Sequence, residues 1–273
     1  MTEKKHTLSQ SLLKALMKYA EKKECGLKVE AQYIDGFKTE STTAQALGNW
    51  FEYICTGALP PYNPIIPQPK TLQSGKLAVA YQRMEEQAKN FKKAIDYYKI
   101  KILHAGYDMK FGDYTGTADI IGEVDGRKVI IDIKSTGLFD DKWSDFGWNT
   151  EHLAAGFRPK VNLLIQALHY TWLWKKIHGE VIDFYFWVFS TQNTHDFKII
   201  KVNIDPDLYD EHEQDLRTGL DFLHHNINNG FKAYPGISRC AKCFLKDNCK
   251  SKVDVPVVQT VDFGSTEKNY VSI

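Results

Sequence analysis

The feature that most restricts the fold is the stretch DYTGTADIIGEVDGRKVIIDIKST, residues 113 to 136. Two extended, apolar runs flank Asp125-Gly126, and a type I′ turn needs positive φ at both central residues, which Asp-Gly tolerates well. The stretch therefore reads as a β-hairpin in which Val124 meets Arg127. Counting back along both strands without a bulge puts Asp119 directly opposite Asp132. Side chains alternate along a strand, so Lys134 shares a face with Asp132 while Ile131 and Ile133 point to the other. Opposed like charges in a sheet are unfavourable, and buried carboxylates need a cation nearby. A divalent ion between Asp119 and Asp132, with Lys134 beside it, would supply that charge, and oxygen-only ligands suit Mg²⁺. The competing reading is a solvated strand face on which Asp132 and Lys134 form a surface ion pair.

Helical spacing brackets this hairpin. LSQSLLKALMKYAEKK reads as a first helix closing near Cys25-Gly26, and STTAQALGNWFEYICTG as a second, capped by Ser/Thr and ending at Gly57. ALPPYNPIIPQPK holds five of the nine prolines and must be an extended loop. A polar helix follows over about 76–98, and strands run from about Lys99 to Lys134. A loop rich in Trp, Asp and Gly (137–159) leads into the apolar helix VNLLIQALHYTWLWKKIHG. Strands at about 182–190 and 196–203, a helix from near Asp207, a cysteine-bearing segment and a polar tail complete the chain. The order implies an α/β fold, a mixed central sheet flanked by helices. One domain over residues 1–250 and a polar tail over 251–273 are expected.

Near-equal numbers of basic and acidic residues (35 and 34) leave any nucleic-acid contact to a local groove. Lys89, Lys92, Lys93, Arg158 and Lys160 are candidates, though such charges commonly sit on solvated faces. Trp143 and Trp148 could stack on unpaired bases or pack over the sheet. The most apolar run, VIDFYFWVFS, is too short to span a membrane and contains Asp183. The first residues lack a signal-peptide core, so a cytoplasmic setting is expected, with cysteines acting as thiols or ligands.

Gln166 and Tyr170, four apart, share a helical face and can reach a common ligand, or form the polar edge of a core helix. Glu52 interrupts an apolar helix four residues after Gly48, as a solvated stripe or as a further ligand. Cys240, Cys243 and Cys249 form C-x2-C-x5-C, a spacing that suggests metal ligation. His224 and His225 read as surface residues, so a fourth ligand must come from elsewhere, with Cys25 and Cys55 the cysteine candidates.

Together, Gly48/Glu52, GTAD with Asp119, DIK with Asp132 and Lys134, and Q-x-x-x-Y with Gln166 and Tyr170 resemble the PD-(D/E)xK nuclease superfamily, restriction-endonuclease-like in fold. The resemblance is to its RecB-like branch, over roughly residues 8 to 250, with Glu52 standing where many relatives have His. It implies that Glu52, Asp119, Asp132 and the backbone carbonyl of Ile133 hold one or two Mg²⁺ or Mn²⁺ ions. Lys134 would orient or help deprotonate a water, and Gln166 and Tyr170 would position DNA or the lysine. Within the iron-sulfur subgroup, AddB-type and CRISPR-associated spacer-processing enzymes, Cys25 fits the cysteine that joins the C-terminal triplet. Cys25, Cys240, Cys243 and Cys249 would then hold a [4Fe-4S] cluster, with Cys55 a core thiol. A staple closing so long a loop would be worth about 5 kcal/mol. Zinc is the other metal the cysteines could take.

The expected activity is metal-dependent exonucleolytic cleavage from free ends of DNA, single-stranded or end-containing duplex, in recombination, repair or mobile-element processing. No G-x-x-x-x-G-K-[ST] phosphate loop is present in the sequence, so unwinding is left to a partner such as a helicase, and a recombinase or integrase are further candidate partners. The alternatives are a catalytically silent DNA-binding scaffold and a structure-specific endonuclease.

Overall fold

The computed structural model describes residues 6–38, 41–59, 65–141, 148, 158–249 and 251. In chain order these form β1 (Leu8–Ser9), α1 (Gln10–Ala20), α2 (Gly26–Val29) running into a π-helical turn (Glu30–Ile34), α3 (Thr43–Thr56), α4 (Val79–Tyr97), β2 (Lys101–Phe111), β3 (Tyr114–Val124), β4 (Arg127–Thr136), α5 (Arg158–His178), β5 (Asp183–Ser190), β6 (Phe197–Val202), α6 (Leu208–Asn229) and α7 (Ile237–Ala241). The six strands make one mixed sheet in the order β1-β3-β4-β5-β6, with β2 on the other edge of β3.

Asp125 and Gly126 take φ of 48° and 75°, so the type I′ hairpin forms as its sequence dictates. Its ladder runs from Val124↔Arg127 to Ile120↔Ile131 without a bulge. Helices cover both faces. Ile120, Ile131 and Ile133 pack with α3 and α4 in one core, which also takes Phe51, Phe91 and Trp187. Ala118, Ile121 and Ile130 pack with α1, α5 and α6 in the other. On α5, Trp172, Leu173 and Trp174 are all buried in succession, so this helix has no solvent face there and lies in the middle of its layer.

Local signals set the helix ends. Thr42 and Gln45 form a reciprocal capping box at the start of α3, and Gly57, with φ 70°, ends it. The first helix is shorter than its periodicity implies: it stops at Ala20, and Lys22 adopts φ 57°, which an α-helix cannot continue through. Cys25 therefore caps the separate helix α2. Trp148 is buried against Phe186 at a ring separation of 5.2 Å, so it packs over the sheet and is not available to stack on bases. Trp143 and the tail from 252 onward lie outside the described residues. Among the described residues no helix is long and apolar enough to cross a membrane.

Candidate active site

One edge of β3 is shared by two partners. Strand β1 pairs in parallel with Tyr114 and Thr115, and β4 pairs antiparallel with Ile120 through Val124. Residues 116–119 lie between, without a partner among the described strands on that edge. Across the other edge, the register with β2 shifts between Ile102 and His104, and Gly106, between the pairs Ala105↔Ile120 and Tyr107↔Ala118, has φ 62°. An L side chain rarely adopts that conformation, and a Cβ there would also lie 3.3 Å from Ala58. The alternation along β3 changes over the same stretch. Ala118 faces the α1/α5/α6 core, yet Ile120, two residues on, faces the α3/α4 core. Asp119 sits at this change of phase.

The two aspartates do not therefore form the opposed pair expected from an undisturbed hairpin. The ladder ends one pair short of them, and the Asp119 carboxylate takes the place of the missing strand acceptor, its Oδ2 receiving the Ile133 N–H at 2.7 Å. The N–H and C=O of a strand residue leave on the same side, so the Ile133 carbonyl faces this opening too. Asp132 is fully buried; its Oδ1 accepts from Gln166 Nε2 at 2.6 Å, and its Oδ2 pairs with the Lys134 ammonium. A surface ion pair is thereby excluded. Gln166 Nε2 also lies 3.4 Å from the Tyr170 hydroxyl, so α5 presents both residues on one face toward β4.

A polar cleft of about 640 Å³ opens over the gap. Glu52 reaches it from α3, Asp119, Gly116 and Thr117 from β3, Lys134 from β4, and Gln166 and Tyr170 from α5. Of the expected residues, the structure thus brings Glu52, Asp119, Asp132, Lys134, Gln166 and Tyr170 into one neighbourhood. Gly48 packs beneath it, a Cβ there meeting Ser135 Oγ at 3.5 Å.

Charge is unbalanced in this cleft. Burial, then Asp132 and Glu52, pushes the Asp119 carboxyl well above the usual range. Burial also raises Asp132, although Lys134 opposes the rise. Burial raises Glu52 as well, with Lys134 opposing and Asp132 adding. Lys134 is raised because the three carboxylates together outweigh its own burial. Three acids thus meet one lysine in contact, Lys134, with Lys14 acting on Asp132 from further off, and burial still raises the proton affinity of each. Among the described residues, no three His, Cys, Asp or Glu side chains converge as a ready-made metal cage.

Sequence reasoning missed Lys14. It lies on α1 in a recess of about 260 Å³ that shares Ser11 with the cleft and also carries Lys18 and Lys28. Burial first, then Lys134 and Lys18, lowers Lys14 to about 8. Helical periodicity could not have singled it out, because a lysine on an amphipathic helix ordinarily marks the solvated side. Lys89, Lys92 and Lys93 do not line the cleft, and Lys89 pairs with Glu86 on α4. The side chains of Arg158 and Lys160 lie outside the described residues.

The C-terminal segment docks on the N-terminal helices. Tyr19 Oη receives the Lys232 N–H at 2.8 Å and donates to Asn226 Oδ1 at 3.0 Å, while Arg239 donates to the carbonyls of Tyr234 and Lys22. The sulfurs of Cys25, Cys240 and Cys243 each accept a backbone N–H at 3.4 Å, from Tyr234, Gly236 and Leu245. The segments carrying the cysteines are adjacent, but the four thiols do not close on one point. Cys55 is a core thiol whose ionisation burial makes harder, and His224 and His225 are exposed, as their sequence contexts imply.

No family model and no curated protein matches this sequence. Solved structures do match. A protein described as an exonuclease from Eubacterium rectale aligns with a TM-score of 0.57 and 17% identity, over 89% of this chain and 88% of that one. An alkaline exonuclease from Laribacter hongkongensis (TM-score 0.46, 13% identity, 82% and 90% covered) aligns less closely. So does a phage-related exonuclease from Haemophilus somnus (TM-score 0.41, 17% identity, 82% and 97% covered). The chain accordingly shares the fold of the Eubacterium rectale protein, an α/β fold with a mixed sheet flanked by helices, as the order of elements in the sequence implies.

Proposed function

We propose that this chain is a divalent-metal-dependent DNA exonuclease. The observation that carries the reading is the gathering of Glu52, Asp119 and the buried Asp132 about the strand gap, with Lys134 the cation in contact; burial raises the proton affinity of all three acids. A set of buried, mutually repelling carboxylates fits a hard divalent cation, which oxygen donors bind without assistance from softer ligands. Glu52, Asp119, Asp132 and the Ile133 carbonyl would hold Mg²⁺ or Mn²⁺. When bound, the ion would supply an acidified water and charge stabilisation at a scissile phosphate. Lys134, fixed by Asp132, orients the attacking water, and Gln166 fixes Asp132 in turn. The polar cleft takes the phosphodiester backbone, with Lys14 and the neighbouring lysines adding positive charge along one wall.

The test is digestion of end-labelled linear DNA, single- and double-stranded, and of circular DNA, with Mg²⁺, Mn²⁺ or EDTA. Metal-dependent loss of linear DNA only, abolished in Asp132→Ala, supports the reading. Cutting of circles would favour a structure-specific endonuclease, and no cutting in any metal would favour a DNA-binding scaffold. Glu52→Gln should lose the thermal stabilisation that millimolar Mg²⁺ gives the unaltered chain, since a ligand stabilises only the state that binds it.

Cys25, Cys240, Cys243 and Cys249 form, in this reading, a [4Fe-4S] staple between the chain's two ends. Backbone N–H groups already point at three of the four sulfurs, a set that would hydrogen-bond cluster-bound sulfur. An anaerobic preparation should be brown and contain iron, and Cys25→Ser should lose both; a colourless protein with stoichiometric zinc would refute the cluster. Free ends would be delivered by a helicase, with a recombinase or integrase acting on the product.

A further inference from the structure

Between Thr115 and Asp119, β3 has no partner among the described strands on the edge facing β4, so the sheet ladder does not set their separation where the acids lie. Helix α5 crosses that opening with three side chains. Gln166 donates to Asp132 of β4 at 2.6 Å, and a ring nitrogen of His169, Nε2, lies 3.0 Å from the Thr115 carbonyl of β3. Tyr170 lies so close over Gly116 that a Cβ there would sit 2.9 Å from its ring. These residues stand at i, i+3 and i+4, the spacing that puts three side chains on one helical face.

His169 is itself held from behind. Its Nδ1 lies 3.1 Å from Nε2 of His212 on α6, and both rings are almost completely buried. The hydrogen-bond pattern dictates the tautomers. A carbonyl only accepts, so His169 carries its proton on Nε2 and leaves Nδ1 as the acceptor; His212 must then donate from Nε2. Burial keeps the rings neutral, lowering His169 to about 4 and His212 to about 3. Trp172 stacks on the His169 ring at 6.1 Å and closes that side.

We infer that His169, backed by His212, is a positioning residue that joins Gln166 and Tyr170 in a three-point clamp spanning β3 and β4 across the strand gap. The inference rests on the nuclease reading for its catalytic consequence, but not for its geometry. His169 touches no reacting atom; it sets where Thr115, Gly116 and, through α5, Gln166 and Asp132 lie.

Two measurements on the full chain test this. In metal-dependent DNA digestion, His169→Leu should lower kcat about 10- to 100-fold with KM nearly unchanged, the cost of a misplaced reacting group. His169→Gln, whose amide can still donate to the Thr115 carbonyl, should recover most of kcat. A purely structural histidine would lower thermal stability in both variants while leaving kcat per folded molecule intact, and that result overturns the proposal. The second measurement is nitrogen-15 NMR at neutral pH. Both rings should be neutral Nε2–H tautomers, and the Gln166 side-chain amide should shift in His169→Leu and return in His169→Gln. A charged ring, an Nδ1–H tautomer of His169, or an unmoved Gln166 amide refutes the clamp. If the unaltered chain cleaves no DNA, the nuclease reading fails and the NMR result alone decides the clamp.

Discussion

Replacing Lys134 with Met should destabilise the metal-free protein strongly, and the loss should vanish when Asp132 is removed as well. Asp132 is fully buried and the Lys134 side chain is 28% exposed, so their pair is only weakly screened. Lys134→Met would leave Asp132 Oδ2 without the cation in contact with it, while Oδ1 keeps the Gln166 amide and Lys14 acts only from further off. Stranding a buried charge in this way costs about 3–5 kcal/mol. At roughly 2–4 °C per kcal/mol for a chain of this size, the melting temperature should fall by roughly 6–20 °C. The Lys134→Met, Asp132→Asn double variant removes both charges and should regain most of the loss, which measures the coupling directly. The pH dependence has a definite sign. Asp132 already has a raised proton affinity, and losing Lys134 raises it further. A carboxylate whose folded pKa exceeds its unfolded value stabilises the fold at low pH and loses that contribution as pH rises through the folded pKa. The deficit of Lys134→Met should therefore be smaller at pH 5 than at pH 8. Lys134 is itself raised and stays charged throughout this range. Thermal unfolding in EDTA at the two pH values provides the data. A loss under 1 kcal/mol, independent of pH and equal in the single and double variants, would mean an ordinary exposed ion pair and would refute the argument.

Other outcomes follow from the same geometry. Gly116→Ala places a methyl 2.9 Å from the Tyr170 ring and 3.1 Å from Leu173 Cδ1, so chemical denaturation should show a loss of about 1–3 kcal/mol. DNA cleavage should fall further than this instability explains, because α5 must retreat from the strand gap. Lys14 sits at about 8, so its positive charge is lost as pH rises through that value. KM for DNA should climb above pH 8, and Lys14→Met should raise KM at lower pH and remove the climb; a pH-independent KM in the unaltered chain would exclude Lys14 from DNA binding.

Much of the site was legible before folding because its signals are local. The Asp125-Gly126 turn requires positive φ at both positions, which fixes the hairpin register, and strand alternation then assigns Ile131 and Ile133 to the core face. Gln166 and Tyr170 share a face because four residues make just over one helical turn. The register shift between Ile102 and His104 and the change of phase around Asp119 were not legible, since a bulge shows only across a strand pair. Lys14 escaped for a related reason. Its charge looks solvated until the fold buries it within electrostatic reach of Lys134, and only then does it become unusual.

The sequence alone therefore determined the hairpin, the order of strands and helices, and which residues are candidates for the site, because turn conformation and side-chain periodicity act between near neighbours. Tertiary structure decided how those residues meet. The split edge of β3, with β1 on one part and β4 on the other, leaves Asp119 outside the ladder, where its carboxylate takes the Ile133 N–H. The α5 contacts that span it join residues up to 54 positions apart. Such distances are set by packing of whole elements, which no short-range pattern encodes.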